Sequence, residues 1–93
     1  MATFTSLYEK YASATTSMKQ EEVASILSPY TQLFNVKIEN NKLLIANHNN
    51  PLNTIAINRI KAIVIEEDTL YIILPNSIYV LNKISGEVEL NIR

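Results

Sequence analysis

Residues 60–81 read Ile60-Lys-Ala-Ile-Val-Ile-Glu-Glu-Asp-Thr-Leu-Tyr-Ile-Ile-Leu-Pro-Asn-Ser-Ile-Tyr-Val-Leu81, and their pattern decides the fold. Two turn signals, Glu67-Asp68 and Pro75-Asn76, cut this run into three strands, 60–66, 69–74 and 77–81. Antiparallel pairing about those turns puts Ile63, Ile65, Leu70, Ile72, Tyr79 and Leu81 on one face. Ala62, Val64, Tyr71, Ile73, Ile78 and Val80 fall on the other. Both faces are apolar, so both need cover.

The flanking strands are simpler. Phe34, Val36 and Ile38 alternate with Asn35, Lys37 and Glu39, the period of a half-buried strand. Asn40-Asn41 suits a two-residue type I′ turn, because Asn tolerates positive φ, and this sets Ile38 opposite Leu43 and Val36 opposite Ile45. Residues 47–53, Asn-His-Asn-Asn-Pro-Leu-Asn, read as loop. A strand from Thr54 to Asn58 leads into Ile60, and the apolar parity slips between Ile57 and Ile60, so a bulge or bend is expected at Asn58-Arg59. The single glycine, Gly86, fits a left-handed position in a longer hairpin. The last strand places Val88, Leu90 and Ile92 inward and Glu89, Asn91 and Arg93 outward.

Residues 1–33 read as helical. Ser6-Leu-Tyr-Glu9 fits a capping box, and Ser17-Met-Lys-Gln20 fits a second. Leu7, Tyr8 and Tyr11 form one apolar stripe, and Val23, Ile26, Leu27 and Tyr30 form another. Ser13-Ala-Thr-Thr-Ser17 weakens the helix between them, which leaves two helices or one long one. Pro29 ends the regular helix near Ser28.

The expected fold is therefore α+β in a single domain spanning 1–93. A helix or helix pair (1–33) precedes an antiparallel meander of about six or seven strands (34–93). One or two short helices are expected to cover one face of the central strands. The meander is then strongly bent or barrel-like, or packed face to face in an oligomer. Tyr71, Ile73, Ile78 and Val80, on the second face, are the candidate interaction residues.

Composition narrows the function. A chain of 93 residues with 47% hydrophobic residues supports one globular core. No cysteine is present, which excludes disulfides and thiolate metal sites and fits a reducing, cytoplasmic compartment. The start, Met-Ala-Thr-Phe-Thr-Ser, lacks the basic and apolar regions of a signal peptide, and charges interrupt residues 55–74, so no membrane insertion is expected. The net charge of −1 gives no global attraction to nucleic acid.

Candidate chemistry is sparse. His48, the only histidine, lies among Asn47, Asn49, Asn50 and Pro51 with no acid nearby in sequence, and reads as a solvated loop residue. Glu66, Glu67 and Asp68 lack the ligand alternation and glycine of a calcium loop, and read as a soluble hairpin tip. Lys37, Lys42, Arg59 and Lys61 could share a surface if the first hairpin lies beside the third strand, which gives an alternative nucleic-acid patch. Glycine-rich phosphate loops, zinc motifs and nucleophile elbows are absent. No enzyme activity and no cofactor are expected.

Three partial resemblances bear on shape. Ile78-Tyr-Val-Leu-Asn-Lys-Ile-Ser-Gly-Glu-Val-Glu-Leu90 resembles the hairpin repeated in quinoprotein-type propeller blades, which implies the turn geometry alone. Thr54–Leu81 is similar to strand meanders of bacterial pleckstrin-homology-like domains. A helix followed by a strongly bent sheet resembles the Sm-like fold, a ring-forming RNA binder. All three concern fold and imply little about function. The leading expectation is a small intracellular protein-interaction module, a homo-oligomer through the second face of its central strands. A barrel- or ring-type nucleic-acid binder using the basic patch is the alternative.

Overall fold

A computed structural model describes residues 3–47 and 50–93. Two N-terminal helices precede seven antiparallel strands, in agreement with the α+β reading. Helix α1 (Phe4–Leu7) continues as a π-helical turn, Tyr8–Ala12. Its cap lies three residues earlier than expected. Thr3 Oγ1 accepts from the Ser6 amide at 3.2 Å, and Ser6 Oγ accepts from the Thr3 amide at 3.1 Å. Ser6 thus closes the capping box instead of opening it.

The hydroxyl-rich segment after Ala12 separates the helices. Helix α2 (Gln20–Leu27) starts at Lys19, whose amide donates to Glu22 Oε1 at 3.2 Å. Glu21 and Glu22 in its first turn complement the helix dipole. Gln20, expected to close a box with Ser17, accepts from the Asn41 amide at 2.8 Å and ties α2 to the first hairpin. Pro29 ends the regular helix, and a 3₁₀ turn over Ser28–Tyr30 carries the chain onward.

The strands form two sheets. One has the order β1 (Lys37–Glu39), β2 (Lys42–Asn47), β3 (Asn50–Ala56). The other has β4 (Ala62–Glu66), β5 (Thr69–Ile73), β6 (Ser77–Asn82) and β7 (Val88–Ile92). Asn40 and Asn41 have φ of 52° and 60°, the signature of the type I′ turn, and Ile38 faces Leu43. Asn35 at φ 48° kinks the chain before β1, so the ladder is shorter than the alternation suggests. Strand pairing also enters the stretch read as loop, with Asn47 opposite Asn50 and Ile45 opposite Asn53. Backbone groups make that ladder, so turn-favouring side chains do not forbid it.

The parity slip at Ile57–Ile60 is a 3₁₀ turn over Ile57–Arg59. Its three-residue repeat puts Ile57 and Ile60 on one side, and both are fully buried. This turn divides the sheets. Among the described residues no ladder joins β3 to β4 or β1 to β7, so the meander does not close into a barrel. Gly86, at φ 79°, closes the last hairpin while Asn82 Oδ1 accepts from the Ile84 and Ser85 amides at 2.8 and 2.9 Å.

The registers put the central side chains on the two faces assigned from sequence. Leu70, Ile72, Leu74, Leu81 and Val88 join Leu43, Ile45 and Ile55 of the other sheet, with Val23, Leu27 and Phe34, in the main core. The opposite face is covered in part from within the chain, where the helices were expected to cover one face only. Leu7 and Tyr8 pack on Ile73 and Ile78, with Tyr11 and Ala12 alongside. The two helices therefore serve opposite faces. The Cα radius of gyration, 12.2 Å, is that of one compact body of this length. No helix among the described residues is long and apolar enough to cross a membrane.

Candidate interaction surfaces

The outer face of the four-stranded sheet carries the residues first singled out. Ile73 and Ile78 are fully enclosed beneath α1, whereas Tyr71 and Val80 are half-buried. With Val64 they form a strip beside the helix, still packed against the Leu7–Ile73 cluster. Tyr8 fixes the helix to the far edge: its hydroxyl approaches the Asn91 carbonyl at 3.4 Å, and the Arg93 guanidinium lies 4.8 Å from its ring centroid. Burial raises the Tyr8 pKa above its ordinary value, opposed by the Arg93 charge.

The four basic residues do not form one patch. Lys37 and Lys42 share the outer face of the three-stranded sheet, with Glu39 directly opposite Lys42. Lys61 is turned toward Ser17, with Nζ 3.4 Å from its hydroxyl. Arg59 alone joins Lys42, on the rim of a groove between the sheets. Glu66, Glu67 and Asp68 border a cleft of about 610 Å³ with Thr69 and Tyr71, at the β4–β5 turn. Among the described residues, no three of His, Cys, Asp and Glu converge as metal ligands. His48 lies outside the described residues.

The groove was not foreseen. It encloses about 520 Å³, with Leu74, Tyr79, Leu90 and Ile92 on one side and Thr54, Ile55 and Ala56 on the other. It exists because the four-stranded sheet presents more rows of side chains than the three-stranded sheet covers. Val88 lies in the core at 4% exposure, but Leu90 and Ile92, expected inward, are 47% and 79% exposed. They point to the core-facing side of β7 and find no sheet above them. Strand alternation names the face of a residue but not how far its cover extends. The signal in the sequence was the lost parity at Asn58-Arg59, the break that leaves three strands before it and four after it.

Comparison with protein-family models, curated proteins and solved structures finds no match to this chain.

Proposed function

We propose that the chain is a non-enzymatic protein-interaction module that self-associates through the open corner between its two sheets. The observation that carries this reading is the exposure of Leu90 and Ile92 on the core-facing side of an edge strand, above an apolar groove. A single exposed apolar residue is ordinary. Two successive core-side residues beside Leu74, Tyr79 and Ile55 make a contiguous patch, which favours burial against another surface. The absence of any nucleophile, phosphate-loop or zinc motif in the sequence supports a role without catalysis.

The corner replaces the central strands as the contact surface because α1 already occupies the Ile73–Ile78 end of that face. A nucleic-acid role would rest on Lys42 and Arg59 at the groove rim, against a net charge of −1.

Replacing Leu90 and Ile92 together by lysine is expected to leave the circular dichroism spectrum unchanged, because both side chains are exposed. The variant should sediment as a monomer where the wild type sediments as a dimer. A wild type that stays monomeric at about 1 mM contradicts the reading. A salt-dependent shift of labelled single-stranded RNA or DNA, lost on replacing Lys42 and Arg59, would favour the nucleic-acid alternative instead.

A further inference from the structure

Resting on this self-association, we infer that two copies join edge to edge through β7, antiparallel about a twofold axis at Asn91, with Leu90 of each opposite Ile92 of the other. The backbone sets which groups are available. The Asn82 amide donates to the Glu87 carbonyl at 2.9 Å, and the Arg93 amide donates to the Asn76 carbonyl at 2.8 Å. Residues 87, 89, 91 and 93 therefore aim their amides and carbonyls at β6, and Leu90 and Ile92 aim theirs away from it. Such an outward row is a template for another strand. Val88 is already engaged within the chain, so pairing begins at Leu90.

Strand β1 has only three residues and β3 contains Pro51, which leaves β4 and β7 as the open edges, and of these β7 adjoins the groove with its exposed Leu90 and Ile92. Strand β7 carries neither proline nor lysine. A twofold contact uses the same patch on both copies and pairs residues that share a face. With Leu90 across from Ile92, both make hydrogen-bonded pairs, and Glu89 stands across from Arg93 twice. Centring the axis on Leu90 would require Val88 and would set Glu89 across from Asn91. Centring it on Ile92 would set Asn91 across from Arg93 and take Glu89 away from Arg93. Charge complementarity thus selects the Asn91 axis. The Arg93 guanidinium, held over the Tyr8 ring, is already on the outer side with Glu89. On the inner side, Leu90 and Ile92 of both copies form one apolar strip continuous with the groove.

Sedimentation equilibrium of the full chain, from about 1 µM to about 1 mM, tests this. The wild type is expected to dimerise. Glu89→Arg should weaken the dimer about thirtyfold, because it sets arginine across from arginine at two places. Mixing the Glu89→Arg and Arg93→Glu variants should restore a dimer as the heterodimer. Ile92→Pro, which removes an amide that β6 does not use, should abolish the dimer while circular dichroism still reports a folded chain. Glu87→Arg should have no effect. A dimer indifferent to Glu89→Arg, or one dissociated by Glu87→Arg, overturns the edge register and leaves self-association standing. A wild type monomeric throughout overturns self-association itself.

Discussion

Replacing Phe34 by alanine is expected to remove about 3–5 kcal/mol of stability, the usual cost of emptying an aromatic core site. A chain of this length has only about 5–14 kcal/mol in total, so the variant should stand near the edge of unfolding. Phe34 is fully buried at the point where the helical segment hands over to β1. It joins Val23 and Leu27 of α2 to Leu43 and Ile45 of one sheet and Leu81 and Val88 of the other. Its ring lies 6.4 Å from that of Tyr30, tilted by 49°. No neighbour can fill the space from one side without leaving a void on another. Urea denaturation followed by circular dichroism measures the loss. Phe34→Leu, which keeps most of the volume, should cost less than about 1.5 kcal/mol. A loss below about 1 kcal/mol for the alanine variant would remove Phe34 from the core.

The second large effect concerns the covered outer face. Ile73→Asp puts a carboxylate at a fully buried position beneath Leu7 and Tyr8, where Ile78 and Ala62 are its cross-strand neighbours. None of the described residues in that cluster is cationic, so the loss should reach about 4 kcal/mol or more. Burial raises the pKa of such a carboxyl. The penalty should therefore be smallest below the unfolded value, about pH 4, and grow as pH rises through it. Val80→Lys is the contrasting case. Val80 is half-buried and directly opposite Glu89, so lysine there should cost about 1 kcal/mol or less. Equal tolerance of both substitutions would mean that α1 does not cover this face.

These two effects mark where sequence was informative. Period-two alternation and the turns at Asn40-Asn41, Glu67-Asp68, Pro75-Asn76 and Gly86 placed the central side chains on their faces, and the registers agree. The break at Asn58-Arg59 was visible as lost parity, although its consequence, two sheets instead of one bent one, was not. Local pattern determines local geometry, and the pairing of distant segments lies outside it. The same holds for the helices. The stripe of Leu7, Tyr8 and Tyr11 announced an apolar surface without naming its target. Residues 13–19 let α1 and α2 take opposite sides of one sheet, so the second face needs no partner at its Ile73–Ile78 end. Leu90 and Ile92 reverse that case, since alternation assigned them inward and the limited reach of the covering sheet leaves them exposed.

We propose that the chain, which covers the Ile73–Ile78 end of its outer face itself, meets its own kind at the open corner by β7. Methyl-resolved nuclear magnetic resonance on serial dilution, from about 1 mM to about 10 µM, tests it most directly. The Leu90 and Ile92 methyl signals should move with concentration, while those of Ile73 and Ile78 stay fixed. Shifts concentrated at Ile73, Ile78 and Val80 would contradict the claim, as would spectra that do not change with concentration.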